Sequence, residues 1–244
     1  MINHQITDWV QGTGRRLGLY ITRLENTLPR KRQTLLHQQR VDLVLDIGAN
    51  AGQYADDLRQ NGYRGSIASF EPIGRVFREL QTRHQADGCW QGRQMALGDS
   101  DGASQINVSQ NLVSSSLLEV TPTSVSAVGA TAMETTETIQ VRRLDTLRPE
   151  LMPPAARAYM KVDVQGFERQ VLQGAVASLA QVVAIEVELS LVELYAGQAL
   201  MPEMMQLLAG LGYRPVWLER GFKDPNSGYL LQMDGIFLRA AAPG

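Results

Sequence analysis

Two periods of hydrophobicity share this chain. Short apolar runs bounded by Gly, Pro, Asp or Ser fall at Val41–Ile47, Ser66–Phe70, Trp90–Leu97, Ile139–Arg143, Ala158–Val162 and Val182–Glu188. They are short for helices and only loosely alternating, which predicts strands with both faces covered. Between them, helical spacing of apolar residues predicts helices over Gln53–Arg59, Arg75–His84, Phe167–Leu179 and Pro202–Leu211. The third puts Val171, Leu172 and Ala175 on one face, and Gly212 ends the fourth. Leu144–Leu147 reads as a turn into a short helix and Pro149–Pro154 as a break. Arg214–Leu218 and Tyr229–Leu238 predict two final strands joined across the turn Lys223–Gly228. Strand and helix alternate almost throughout, the pattern of one doubly wound α/β sheet ending in a hairpin.

Two stretches depart from that rhythm and divide the chain into an extension, residues 1–40, and a domain, residues 41–244. In the extension Arg15, Arg16, Arg23, Arg30, Lys31, Arg32 and Arg40 are opposed only by Glu25 near them. Leu17, Tyr20, Ile21, Leu24 and Leu28 recur between them at helical spacing, predicting an amphipathic helix over residues 8–28 that stops near Pro29. Such a helix either packs on the core with its arginines in water, or lies through residues 8–32 on an anionic membrane surface or a phosphorylated ligand. The other departure is residues 100–138, rich in Ser, Thr, Ala, Gly and Val, where only Ala103–Val108 reads as a strand. A mobile insertion is expected there, with Asn111 to Leu117 lining a binding site through its hydroxyls.

Composition narrows the class. With 244 residues, 44% of them hydrophobic, the chain can bury one sizeable core, and it has no apolar run long enough to cross a bilayer. A formal net charge of −2 argues against general nucleic-acid binding. Met1 to Gln11 lack the layout of a signal peptide and the single Cys89 cannot form an internal disulfide, so a cytoplasmic location is expected. Cys89 reads as an inert buried thiol, and His4, His37 and His84 as solvated surface residues. Oligomeric state leaves no mark in the sequence.

The densest chemistry lies in Val41–Gly52, where a buried strand ends in Asp46 and a turn carrying Gly48, Asn50 and Gly52 opens a helix. Glycines allow a tight turn and close approach of a ligand to the backbone. A dinucleotide fingerprint needs a third glycine, missing here, so the loop suits an uncharged nucleoside better. Asp46 and Asn50 could address an amino-acid tail on such a ligand. About twenty residues further on, Glu71 and Pro72 follow the next strand, the place for a carboxylate that accepts both hydroxyls of a ribose. A third strand exit puts Met95, Ala96 and Leu97 near the base.

Asp46–Gly52, Phe70-Glu71-Pro72, Ala96-Leu97-Gly98-Asp99, Leu144-Asp145 and Lys161-Val162-Asp163-Val164-Gln165-Gly166-Phe167-Glu168 together resemble the ordered motifs of the FkbM-type methyltransferases, over about residues 41–240. The resemblance implies a seven-stranded class I, Rossmann-like fold with an antiparallel last strand. It also implies S-adenosylmethionine as donor and a hydroxyl of a small-molecule acceptor, such as a sugar or a secondary metabolite, as the site of O-methylation. Carried over, Asp46, Gly48, Asn50 and Gly52 go to the methionine end of the donor, Glu71 with Pro72 to the ribose, and Ala96 and Leu97 to the adenine side. Asp163 and Glu168 would face the acceptor, with residues 100–138 on the acceptor side. Gln165 departs from the Glu common in the family.

Removal of the acceptor's proton then falls to a carboxylate, with Asp163 first and Glu186 or Glu188 behind it. Asp163, Glu186 and Asp234 could supply oxygen ligands to Mg²⁺, but scattered strand acids are more often hydrogen-bonding groups, so no metal site is assigned. Lys161 is expected to pair with a neighbouring carboxylate. A nicotinamide-dependent oxidoreductase and a non-catalytic donor-binding partner protein stay open as alternatives. Against the first stand the missing glycine and the absence of a Tyr-x-x-x-Lys pair.

Overall fold

The computed structural model describes residues 27–128 and 131–240, together with Arg16. The predicted helix over residues 8–28 lies almost wholly outside the described residues, and with it the membrane-contact expectation for that segment. The first helix described is α1 (Leu28–Gln38), with Pro29 in its first turn. Pro29 therefore opens a helix instead of stopping one, because a first-turn position needs no N–H and proline's φ is already helical.

From there the elements run β1 (Leu43–Ile47), α2 (Gln53–Gln60), β2 (Ser66–Phe70), α3 (Gly74–His84), β3 (Trp90–Arg93), β4 (Ala96–Leu97) and β5 (Gly102–Ser109). They continue through α4 (Pro122–Ala127), β6 (Met133–Arg142), α5 (Leu144–Leu151), β7 (Ala158–Val162), α6 (Glu168–Gln173) and β8 (Val182–Ser190). The chain closes with α7 (Met201–Gly210), β9 (Tyr213–Arg220) and β10 (Gln232–Arg239). Seven strands form one sheet in the order β3-β2-β1-β7-β8-β10-β9, with β10 antiparallel to both its neighbours and the rest of the core parallel. This is the doubly wound sheet expected, and its final hairpin supplies the antiparallel strand.

The period of two along each strand sends alternate side chains into two cores. Leu43, Leu45 and Ile47 join Met160, Val162, Ile185, Val187 and Phe237 in the larger core, under α5, α6 and α7. Val44, Ile67, Tyr159, Ala184 and Ile236 form the second, under α1 and α2. On that second face the sequence turns polar toward the strand ends. Asp46, Lys161 and Glu186 stand side by side in register on three adjacent parallel strands, and Glu188 stands opposite Asp234.

Residues 100–138 depart from expectation. Strands β4, β6 and β5 make a separate three-stranded sheet, whose Ile106, Val108, Ile139 and Val141 pack on Ile73 and Val76 at the start of α3. Polar, threonine-rich Glu134–Thr138 disguised the first half of β6 as loop. The predicted strand Trp90–Leu97 is split, its second piece pairing with β6 instead of β2. Helix α5 runs through Pro149, and α6 ends earlier than expected at Gln173. Cys89 is an exposed free thiol and His84 is buried, the reverse of both expectations. Among the described residues no helix is long and apolar enough to cross a membrane.

Candidate active site

One cavity of about 780 Å³ crosses the carboxyl ends of the strands, where ligands sit in open α/β sheets. Its lining follows the sheet order: Glu71 after β2, Gly48 to Asn50 after β1, Asp163 after β7, Glu188 on β8 and Gln232 on β10. Strands lie about 4.8 Å apart, so Glu71 and Glu188 are separated by three spacings, about 14 Å. Pro72, Ala96, Leu97 and Leu112 extend the wall beside Glu71, while Leu194, Tyr195 and Phe222, packed together, line another part. Pro29 and Arg32 of α1 and Tyr54 of α2 also line it, so the extension contributes to the site.

The turn after β1 is built for close approach. Gly48 has φ +79°, and a Cβ there would sit 1.8 Å from the Asp163 carbonyl oxygen. Asn50 is left-handed at φ +48°, and its own Oδ1 accepts from Ala51 N at 2.6 Å. Its backbone N–H donates to Glu71 Oε2 at 3.0 Å, and Ile73 N–H donates to Oε1 at 2.9 Å. These two bonds fix the Glu71 carboxylate at the cavity wall. Burial dominates nonetheless and pushes its pKa up to about 7.

Three assigned residues turn out to act from outside the cavity. Asp46 is fully buried and off the cavity wall; it faces Lys161 at 3.5 Å and accepts from Ser69 Oγ at 3.2 Å. Burial raises its pKa, against the pull of Lys161. Gly52 is likewise off the wall; a Cβ there would meet the buried His84 ring at 2.4 Å, so this glycine answers to helix packing. Glu168 accepts from Val164 N and Gly166 N, both at 3.1 Å, and folds the β7 exit loop back on itself. Its pKa too is pushed up to about 7 by burial. Asp145, part of the resemblance, holds Ser178 N and Oγ at 2.7 Å away from the site.

Glu186 is corrected as a base. Its carboxylate receives a forked pair of bonds from Arg32 Nε and Nη2, each 2.6 Å, plus Tyr54 OH at 2.8 Å and Tyr159 OH at 2.6 Å. Arg32 also reaches Asp57 at 2.6 Å. Burial opposes the charge on Glu186, but Arg32 and the two phenols override it and hold the pKa below the usual carboxylate range. A carboxylate so fully bonded is a structural anion, and it pins α1 to the sheet.

At the β7 and β8 end of the cavity, the wall carboxylates are Asp163 and Glu188. Lys161 donates to Gly48 O at 2.9 Å and stands 3.5 Å from Asp163, so it couples the β1 turn to the β7 exit. Burial works against the charge of Lys161, and Asp163 and Asp46 more than offset it, raising its pKa. Gln165, left-handed at φ +57°, bridges the acids: its Nε2 donates to Asp163 Oδ1 at 2.8 Å and lies 3.5 Å from Glu188 Oε2. Its Oε1 accepts from Tyr195 OH at 2.7 Å. The departure from the family pattern thus places an amide donor between two carboxylates. Among the described residues no group of three or more His, Cys, Asp or Glu could hold a metal ion.

Asn111 to Leu117 line the cavity as expected, while two of their hydroxyls are also bonded within the protein. Ser115 Oγ donates to Leu112 O at 2.8 Å and Ser116 Oγ to Gln165 O at 2.6 Å. Sequence reasoning missed Arg32, Tyr54, Tyr195, Phe222 and Gln232. Only Arg32 carried a signal, as a charge at an apolar position of a helix whose start was misplaced.

The family model described as methyltransferase FkbM domain matches residues 46–215. No curated protein matches the chain. Among solved structures it is similar to magnesium protoporphyrin IX methyltransferase from Synechocystis PCC 6803 with bound S-adenosylmethionine, at 10% identity and a TM-score of 0.47, covering 87% of this chain and 78% of that one. It is also similar to 1,6-didemethyltoxoflavin-N1-methyltransferase from Burkholderia thailandensis, at 12% identity and a TM-score of 0.47, covering 96% and 87%.

Proposed function

The chain belongs to the FkbM methyltransferase family, and from that premise we propose that it is an S-adenosylmethionine-dependent O-methyltransferase acting on a hydroxyl of a small-molecule acceptor, a sugar or a secondary metabolite. The observation that carries this reading is the ordered lining of one cavity: Glu71, the Gly48–Asn50 turn, then Asp163 and Glu188. Glu71 accepts the ribose hydroxyls, Ala96 and Leu97 pack at the base, and the glycine turn admits the methionine portion. When bound, the donor supplies an activated methyl group on a positive sulfur.

The chain's own work is positioning and proton removal. Asp163, held by Lys161 and by the Gln165 amide, accepts the hydrogen bond of the incoming hydroxyl and then its proton. Leu194, Tyr195 and Phe222, packed together, give the acceptor an apolar seat that excludes water. Among the described residues the two cations of the cavity, Arg32 and Lys161, are both engaged with carboxylates, which favours an acceptor without a phosphate at the reacting end.

The test incubates the protein and methyl-labelled donor with a metabolite extract and follows the label. Alkali-stable label in an O-methyl ether, absent with Asp163→Asn, supports the reading. Label on nitrogen, or transfer undiminished in Asp163→Asn, contradicts it.

A further inference from the structure

We propose that Glu188 lets this cavity tell the charged methyl donor from its uncharged product: donor binding drives a proton from Glu188 into solvent, and loss of the sulfonium charge lets it return. This rests on the methyl-donor reading above. With the ribose at Glu71 and the base toward Ala96 and Leu97, the remainder of the donor runs the other way along the sheet. It passes the Gly48–Asn50 turn and arrives at the ends of β7 and β8, where Asp163 and Glu188 line the cavity.

Around Glu188 negative charge gathers with little to balance it. Asp163 faces it from the β7 exit, Glu168 from α6 and Asp234 from β10, while Lys161 is the cation that reaches it. Glu219 of β9 stands opposite Asp234, one strand further out, and the Tyr195 phenol is close enough to feel the Glu188 charge. Lys161 is already shared between Gly48 O, Asp46 and Asp163. Arg32 is bound to Glu186 and Asp57.

Glu188 itself receives only neutral amides. Gln232 Nε2 at 2.5 Å and Gln165 Nε2 at 3.5 Å both reach Oε2, and Oε1 has no hydrogen-bond partner among the described residues. Burial and the surrounding carboxylates accordingly raise its pKa well above the usual range. A ligand bringing one positive charge to this end of the cavity reverses that balance. The donor carries that charge on sulfur and its product does not, so the product is bound without help from Glu188 and leaves more readily.

Calorimetric titrations in buffers of different ionisation heat count the protons exchanged on binding. S-adenosylmethionine should release up to one proton more than S-adenosylhomocysteine near neutral pH. The ratio of their affinities should rise with pH by up to about tenfold per unit while Glu188 still holds its proton. Any proton released at Glu71 is common to both ligands and cancels in the difference. Glu188→Gln should bring the two counts together and flatten the ratio. Asp234→Asn, which removes a neighbouring charge and makes Glu188 more acidic, should shrink the difference without abolishing binding. Equal counts in the unaltered protein, or a difference that survives Glu188→Gln, overturns the assignment while leaving the donor site standing. Failure of both ligands to bind overturns the donor reading as well.

Discussion

Removing Arg32 gives the sharpest energetic test of the buried network under the cavity. Arg32→Ala deletes two 2.6 Å bonds to Glu186 and one of 2.6 Å to Asp57, leaving Glu186 with two phenol donors and no cation. Breaking a buried ion pair by removing one partner costs about 3–5 kcal/mol, a large share of the roughly 5–15 kcal/mol that holds a domain together. With a urea slope of about 3 kcal/mol/M, the unfolding midpoint at pH 7 should fall by about 1–1.7 M. The pH dependence adds a second signature. In the unaltered protein Glu186 is depressed, so its stabilisation is present above the unfolded carboxylate range, about 4.3, and is lost only as pH falls through its lower folded value. In Arg32→Ala burial acts on Glu186 without the guanidinium to offset it, and its pKa rises. The stability gap between the two proteins should therefore narrow as pH is lowered from 7 toward 5, and adding Glu186→Gln to Arg32→Ala should recover part of the loss. A loss below about 1 kcal/mol at pH 7, or a gap that does not change with pH, would mean that Arg32 is not what keeps Glu186 charged.

Gly48→Ala should cost more than tenfold, on the order of 1.4 kcal/mol or above, in donor affinity measured by calorimetry, because the new Cβ occupies the space of the Asp163 carbonyl in a left-handed backbone. Affinity for S-adenosylhomocysteine should fall as pH drops through about 7, where Glu71 takes up its proton, and Glu71→Gln should be weaker and lose that dependence. Glu168 has its folded pKa raised to about 7, so the folded state binds the extra proton and stability falls as pH rises from the unfolded value toward 7. In urea titrations across that window, Glu168→Gln should flatten the slope. Gln165→Glu replaces the bridging amide with a third carboxylate beside Asp163 and Glu188. Its thermal midpoint should drop, and Mg²⁺ should restore it by more than it shifts the unaltered protein.

The parallel core was legible because its strands are unbroken apolar runs; Ala158–Val162 matches its predicted bounds, and Ser66–Phe70 does too. The site residues read from glycine and strand-end chemistry fall into two groups. Gly48, Asn50, Glu71, Pro72, Ala96, Leu97 and Asp163 reach the cavity. Asp46 and Glu186 sit within strands, where Asp46 meets Ser69 and Lys161 of the neighbouring strands and Glu186 meets Arg32 of α1; such partners are long-range facts that local spacing does not carry. The lining from Tyr195, Phe222 and Gln232 was hidden for the same reason, since three separate segments meet over the β7 and β8 ends only once the sheet is assembled. The small sheet β4-β6-β5 was obscured by threonines and glutamates on its exposed positions, which mimic a polar loop.

The central claim is that this cavity holds a sulfonium methyl donor with its ribose on Glu71. Titration calorimetry of the purified protein against S-adenosylhomocysteine and NADH, each repeated with Glu71→Ala, tests it most directly. One site for S-adenosylhomocysteine is expected, with a dissociation constant on the order of micromolar, about −8 kcal/mol, weakened by Glu71→Ala, and no binding of NADH. Binding of NADH alone, or S-adenosylhomocysteine binding indifferent to Glu71→Ala, would contradict it.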